Sequence, residues 1–286
     1  MRRMGRKGKF TIGLTILVGI IVFIYIGNNS IVVNNIEYYN NKVPSEFDGY
    51  KILQISDLHN EEFGKNQSKL IKETKDINPD IIVITGDLID SRKTDINTSM
   101  KYVEEAIRFA PIYYVNGNHE ARVEEYKELE DRLTEAGVII LSDHSELIEK
   151  GESSINLLGI NDPSFNPVDY IDDNDGSYAI SEKLGSLVTD NSKEFKILLA
   201  HRPENIDIYA NHNIDLVFSG HAHGGQIRLP FIGGLIAPNQ GVLPKYTSGI
   251  YLEKNTSMVV SRGLGNSIFP IRIFNKPELV VVTLRK

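Results

Sequence analysis

Five short apolar runs in this chain each stop at a residue able to hold a metal ion. Tyr50 to Ile55 leads into Ser56-Asp57-Leu58-His59, Ile81 to Ile84 into Thr85-Gly86-Asp87, and Ile112 to Val115 into Asn116-Gly117-Asn118-His119-Glu120. Ile197 to Ala200 leads into His201, and Leu216 to Phe218 into Ser219-Gly220-His221-Ala222-His223. In an α/β sheet, ligands bind in the crevice beyond the strand ends. Two Asp, one Asn and five His gathered there form a crowded polar site that an apolar core would not tolerate unpaired. The economical explanation is a pair of metal ions, and with it a hydrolytic enzyme.

The five endings differ in specificity. Asp-x-His alone is weak, because a surface or capping Asp explains it as readily, and Gly-Asp commonly opens a turn. Gly-Asn-His-Glu is stronger, since an Asn and a His beyond a buried strand need partners. Gly-His-x-His is stronger still. Two His separated by one residue on an extended segment point the same way and can meet two adjacent ions. A lone His201 is more often a satisfied structural histidine; it is the conjunction of five endings that carries the reading.

Composition bounds the rest. At 286 residues the chain is long enough for one large domain or two small ones. It has no cysteine, which excludes thiolate zinc sites, disulfides and cysteine nucleophiles. Arg2, Arg3, Arg6, Lys7 and Lys9 place five cations in residues 1–9. The formal net charge is -7, so the remainder carries -12. A catalytic part this acidic lacks the basic footprint of a nucleic-acid binder, and no nucleic-acid polymer is expected as partner.

Phe10 to Ile26 holds no charge and is rich in Ile, Leu, Val and Phe, at the short end of what spans a bilayer. A core helix would not be apolar all round beside five cations. A cleaved signal peptide has a shorter apolar region and small residues at its cleavage site, whereas this run ends in Tyr25-Ile26-Gly27-Asn28-Asn29-Ser30. Arg2-Arg3 hints at twin-arginine export, but Met4-Gly5-Arg6-Lys7 is a poor match for it. The expectation is an uncleaved transmembrane signal anchor over 10–26. It follows a basic cytoplasmic segment, 1–9, which the positive-inside tendency keeps in the cytoplasm with the rest outside.

Residues 27–49 read as a polar linker around the short patch Ile31 to Val33, with Tyr38, Tyr39 and Val43 as the start of an edge strand. The catalytic domain is expected over 50–286. Apolar residues recur at helical spacing over Asn66 to Ile77, Asp95 to Ala110 and Val123 to Ala136. These helices alternate with strands in βαβ fashion, which predicts a mostly parallel sheet. After Val138 the strands become sequential, including Ile271 to Phe274 and Leu279 to Leu284. Pro163 to Lys193, acidic and rich in Asp, Ser and Gly, reads as a lid or a partly ordered loop. Two packed sheets with helices outside result.

At this point the chain resembles a known family. Asp57-x-His59, Gly86-Asp87, Gly117-Asn118-His119-Glu120, His201 and Gly220-His221-x-His223 are similar to the motif series of the calcineurin-like metallophosphoesterase superfamily. Ile-Ser-Asp-Leu-His-Asn at 55–60, Ile-Thr-Gly-Asp-Leu-Ile-Asp at 84–90 and Gly-His-Ala-His-Gly-Gly-Gln-Ile-Arg-Leu-Pro at 220–230 resemble its membrane-associated, YkuE/YaeI-type phosphodiesterase branch. The resemblance runs from about residue 36 to the C-terminus. It implies a four-layer αββα sandwich, two mixed β-sheets flanked by helices.

It also implies roles. Asp57, His59 and His223 would hold one divalent metal, Asn118, His201 and His221 a second, and Asp87 would bridge them. Imidazoles and hard oxygens suit Mn, Fe or Zn. Two such ions lower the pKa of a bridging water, whose hydroxide attacks phosphorus in line. His119 would then stabilise developing charge or protonate the leaving oxygen, and Asn118 would touch a phosphate oxygen as well as metal. Glu120 would orient His119 or cap the following helix.

Arg92, Arg262 and Arg272 are candidates for an anionic head group, with solvated surface arginines as the plain alternative. In the serine/threonine phosphatases of the superfamily an Arg directly follows the second Asp; here Ser91 intervenes before Arg92. The expected activity is a metal-dependent phosphodiesterase on the outer side of a membrane. Its substrate would be lipid-linked or wall-related. The competing readings are a phosphomonoesterase and a non-catalytic anchored metal-binding module.

Overall fold

The computed structural model describes residues 6–165, 177–188, 194–266 and 270–286. Side-chain alternation decides how its strands stack. On the strand β2 (Lys51–Ile55), Ile52 points into one apolar cluster and Leu53 into another. On β3 (Ile81–Thr85), Ile81 and Val83 face the first cluster, Ile82 and Ile84 the second. Successive strand residues point to opposite faces. A strand covered on both faces therefore reads as an unbroken apolar run.

The first sheet adds β1 (Val32–Tyr39), β4 (Ile112–Val115), β5 (Ile139–Ile140) and β16 (Glu278–Arg285), in the order β1-β16-β2-β3-β4-β5. Strands β2 to β5 run parallel, and β16 is antiparallel to β2. The second sheet holds β6 (His144–Lys150), β7 (Ser153–Gly159), β8 (Phe195–Leu199), β9 (Leu216–Ser219), β14 (Gly249–Glu253) and β15 (Thr256–Val260). Its order is β14-β15-β9-β8-β7-β6, parallel from β7 through β15 and antiparallel at both edges.

Ile52, Val83 and Val115 of the first sheet meet Leu157, Ile197 and Phe218 of the second in one core. Helices α2 (Ser68–Ile77), α3 (Ile96–Ala106) and α4 (Tyr126–Glu135) cover the outer face of the first sheet with Leu70, Met100, Val103, Leu129 and Leu133. Asp95 caps α3 by accepting from the Thr98 amide at 3.1 Å, a bond worth about 1 kcal/mol. Helices α5 (Ser177–Leu187) and α6 (Ile206–Asn211) cover the second sheet with Ile180, Leu184, Ile206 and Tyr209. The protein is thus an α/β fold of two mixed sheets flanked by helices.

Three segments differ from the expectation. Within Pro163 to Lys193, residues 177–187 form α5, whose buried Ala179, Ile180 and Leu184 tie it to the sheet; 166–176 and 189–193 lie outside the described residues. Ile271 to Phe274 forms no named strand, and Ile273 makes a lone bridge with Ile227. Its amides are divided between neighbours: Arg272 N donates to Asn28 Oδ1 at 3.1 Å. Within 27–49, β1 is already a full edge strand paired with β16 along eight residues.

Helix α1 (Arg6–Asn29) projects with its apolar residues exposed. Its 24 residues reach about 36 Å at 1.5 Å each, enough to cross a hydrocarbon core of about 30 Å. Such a helix near the N-terminus suggests a membrane anchor or a signal sequence. Phe23 packs edge-on against Phe274 with ring centroids 5.3 Å apart.

Candidate metal centre

The C-terminal ends of β2, β3, β4, β8 and β9 converge, so both sheets feed one site. The turns that follow are unusual: Asp57, His59, Asp87, His221 and His223 all have φ between 46° and 63°. That left-handed region is unfavourable for residues with a side chain, though Asp and His enter it more readily than most. A tight turn there aims each side chain back across the strand ends. Room is made by two small residues. A Cβ on Gly117 would sit 2.4 Å from Asp87 Oδ1, and one on Gly220 would sit 1.9 Å from Ser56 Oγ.

Among the described residues three groups of ligand atoms form, each within 4.8 Å; one gathers His59, Asp90 and His119, and the other two share a carboxylate. Of these two, one joins Asp57, His59, Asp87 and His223; the other joins Asp87, His201 and His221. Asp87 belongs to both. His59 Nε2 lies 3.2 Å from His223 Nε2 and 3.5 Å from Asp87 Oδ2. His223 Nε2 lies 3.3 Å from Asp57 Oδ1. On the other side, His201 Nε2 lies 3.3 Å from Asp87 Oδ2 and 3.2 Å from His221 Nδ1. Asn118, between Gly117 and His119 in the turn after β4, is buried, and its Oδ1 has no hydrogen-bond partner among the described residues.

This donor set fits divalent cations. His201 Nδ1 is 2.7 Å from the Thr85 carbonyl, which can only accept, so Nδ1 carries a proton and Nε2 is the nitrogen that faces Asp87. Facing imidazole nitrogens 3.2 Å apart repel unless a proton or a cation lies between them. Burial pushes His59 down to about 3, and drives His221 and His223 well below the ordinary histidine value. Neutral imidazoles are what ligation requires. Burial also lifts Asp57 to about 6. Burial opposes a charged His201, yet Asp87, helped by Asp57 and Asp162, overrides it and raises the ring to about 10. A divalent cation there would take the place of that proton.

Asp87 is held from several directions. Its Oδ1 accepts from the His119 amide at 2.8 Å. Its own amide donates to Glu120 Oε2 at 2.9 Å, and Gly117 N donates to the same oxygen at 2.8 Å. Glu120 Oε1 accepts from Leu88 N at 2.7 Å and Ile89 N at 3.2 Å. Glu120, fully buried, is therefore a clamp between the β3 and β4 turns. The sequence reading had it orienting His119 or capping a helix; no local pattern reveals a carboxylate that accepts amides 31 to 33 residues away.

His119 stands beside His59, ring centroids 4.4 Å apart. Its Nδ1 accepts from the Ser91 amide at 3.0 Å, which fixes the neutral tautomer with hydrogen on Nε2. Burial likewise lowers its pKa. Ser91, read only as an insertion before Arg92, thus sets the tautomer of His119. Behind His201, Arg202 makes a buried fork with Asp162, at 2.7 and 2.9 Å. This locks the 161–164 loop under the site.

Two of the three candidate arginines lie differently from the expectation. Arg272 is 1% exposed; its Nη1 donates to the Arg262 carbonyl at 2.9 Å and its Nη2 to that of Gly265. It braces the loop whose Gly265 amide donates to the Asp57 carbonyl at 2.6 Å. Arg262 pairs with buried Glu278 at 2.9 Å. Apolar surroundings and nearby carbonyls, invisible in the sequence, turn both into structural contacts. Arg92 pairs with Asp90 and alone of the three lines the mouth of the site. There a cavity of about 850 Å³ has Ile21, Ile24 and Tyr25 of α1 on one wall and His59, Asp90 and Arg92 on another.

A two-sheet αββα sandwich with a shared carboxylate between two His-rich groups defines a metal-dependent phosphoesterase architecture. The calcineurin-like phosphoesterase family matches residues 50–225, and the chain belongs to that family. It is a metal-dependent phosphoric ester hydrolase. The metallophosphoesterase YkuE of Bacillus subtilis is 31% identical over 254 residues, covering 85% of this chain and 82% of that protein. The phosphodiesterase YaeI of Escherichia coli is 25% identical and covers 82% of each. The crystal structure of TT1561 of Thermus thermophilus shares the fold, with a TM-score of 0.50 at 13% identity over 75% of this chain and 90% of that one.

Proposed function

We propose that this protein is a membrane-anchored dinuclear phosphodiesterase acting at the outer membrane surface. Asp57, His59 and His223 would hold one divalent cation and Asn118, His201 and His221 the other, with Asp87 shared between the two sets. The observation that carries this reading is the membership of Asp87 in both ligand groups. Bound there, two divalent cations of the Mn, Fe or Zn type supply Lewis-acid stabilisation of phosphoryl charge and a nucleophile at neutral pH.

The chain's own groups do the rest. Glu120 holds the β3 and β4 turns in register, so that Asp87 and Asn118 keep their spacing. His119, neutral and protonated on Nε2, donates a hydrogen bond to a phosphoryl oxygen; its Nδ1 is already engaged by the Ser91 amide. This favours charge stabilisation over proton delivery as its role. Arg92, at the cavity mouth, faces the leaving portion of the substrate.

The diester preference rests on the likeness to YaeI, and the membrane-surface substrate on α1 forming a cavity wall. A head group at His59 and an apolar tail along Ile21 and Ile24 suit a lipid-linked phosphodiester. The test is turnover by the full chain in detergent with Mn²⁺, on bis-p-nitrophenyl phosphate and p-nitrophenyl phosphate. Faster diester cleavage is expected. Much faster monoester cleavage would make the protein a phosphatase. Bound metal without turnover would leave a binding module. Protease added to intact cells should remove the large domain if it lies outside.

A further inference from the structure

We propose that residues 229–244 form a second membrane contact, a pair of hairpins that inserts into the leaflet beside α1 and fixes the tilt of the catalytic domain. The segment Leu229 to Pro244 carries no charged residue, the longest such run in the chain after residues 10–36. It forms two minimal hairpins, β10 (Arg228–Leu229) with β11 (Gly233–Gly234) and β12 (Ile236–Ala237) with β13 (Gly241–Val242).

Most of their large apolar side chains point outward, while Ala237 is buried against the second sheet's core. Phe231 is 109% exposed at the tip of the first hairpin, with φ at 68°. A bulky residue is rare in that conformation, and a turn there ordinarily takes Gly, Asn or Asp. Ile232, Ile236, Val242 and Leu243 are each more than half exposed. Ile236 and Val242 are paired across the second hairpin, so their side chains share one face. An exposed apolar group of this size marks a contact surface.

The occupant follows from what adjoins it. Arg228 N donates to the Ile273 carbonyl at 3.0 Å, which ties the base of the first hairpin to the segment carrying Phe274. Phe274, also exposed, packs on Phe23 of α1. Phe23 lies three residues before the end of the apolar run at Ile26, about 4.5 Å along the helix axis. That depth is the head-group boundary where interfacial side chains lie. Lys245, exposed at the end of the segment, places a cation where anionic lipid heads would lie, while Arg228 is held inside by the Gly224 carbonyl at 2.9 Å. The apolar surface of α1 therefore continues through Phe274 toward the hairpins, and the partner is the bilayer that holds α1. The proposal rests on the reading of α1 as an anchor, and its test separates the two.

The chain contains no tryptophan, so single reporters are unambiguous. Phe231→Trp, Leu243→Trp and, as the anchor control, Val18→Trp are placed in the full chain and reconstituted into phosphatidylglycerol-containing vesicles. Fluorescence is read with lipids brominated near the glycerol end or deep in the acyl chains. Trp at 231 and 243 should be blue-shifted and quenched most by the shallow bromines, Trp at 18 by the deep ones. Quenching at 18 with water-like, unquenched emission at 231 and 243 overturns the proposal and leaves the anchor standing. Loss of quenching at all three overturns both. A blue shift at 231 without quenching by either lipid assigns the hairpins to a second copy of the chain and overturns the proposal.

Discussion

Two regions of this molecule reverse the usual partition of side chains. Around Asp87, carboxylates and imidazoles are buried; on the hairpins near α1, Phe and branched aliphatics stand in the open. Polar groups are ordinarily outside and large apolar ones inside. The first reversal is heavily braced, by Glu120, the Ser91 amide, the Thr85 carbonyl and the Asp162–Arg202 pair. The second is two short hairpins with few cross-strand bonds. A site that must hold charges a few ångströms apart needs a rigid frame, whereas a surface that meets fluid lipid needs only to expose carbon. The same fold thus spends its rigidity at one place.

That contrast can be broken. Asp87→Ala removes the carboxylate common to both ligand groups. Diester turnover should fall by about 10³-fold or more, the scale set by several kcal/mol of lost charge stabilisation. Metal content should fall with it. If turnover survives, the bracing serves something other than catalysis.

Asp162→Asn removes the carboxylate forked on buried Arg202 and leaves Glu204, at 4.0 Å, as a more distant counter-charge, at a cost of about 3 kcal/mol. For a domain of this size that lowers Tm by about 6–12 °C. Burial alone would raise Asp162, but Arg202 outweighs it and holds the carboxyl below its ordinary value. The pair's contribution is therefore complete above the unfolded value of about 3.9. It is lost as pH falls through the lower folded value. The Tm gap between the two proteins should be constant near neutrality and close only in acid.

His119→Ala should lower kcat by about 10²-fold while metal occupancy, read by mass spectrometry, stays unchanged. Glu120→Gln retains the shape but weakens the acceptors for four amides. About 10-fold in metal affinity or turnover is the scale for such a supporting group. At the other pole, Phe231→Ser in detergent should shift stability by less than about 0.5 kcal/mol, as expected of a surface change. A large loss there would mean that the hairpin is part of the core after all.

Much of the frame was legible in the sequence. Apolar runs ending in Asp, Asn or His gave the strands and the residues that meet at their ends, because strand period and buried polarity are both local signals. Helix α3 was visible from its spacing, though it ends at Ala106 rather than Ala110. What escaped notice is non-local. Glu120 looks like a helix cap until the turns it clamps are seen, and Arg272 looks like a surface cation until its carbonyl partners surround it. Helix α5 lay hidden in an acidic stretch whose few apolar residues, Ala179, Ile180 and Leu184, suffice once a sheet covers them. The surface formed by residues 229–244 is not legible in the sequence, since exposure of an apolar side chain cannot be read from its type.

The most direct test is the metal stoichiometry of the full-length protein, purified in detergent with Mn²⁺ and read by plasma mass spectrometry. Two equivalents per chain are expected, with one lost in His223→Ala or in His221→Ala and both lost in Asp87→Ala. A protein that turns over phosphodiesters with no bound transition metal, or an Asp87→Ala variant that keeps both ions, would contradict the shared-carboxylate centre.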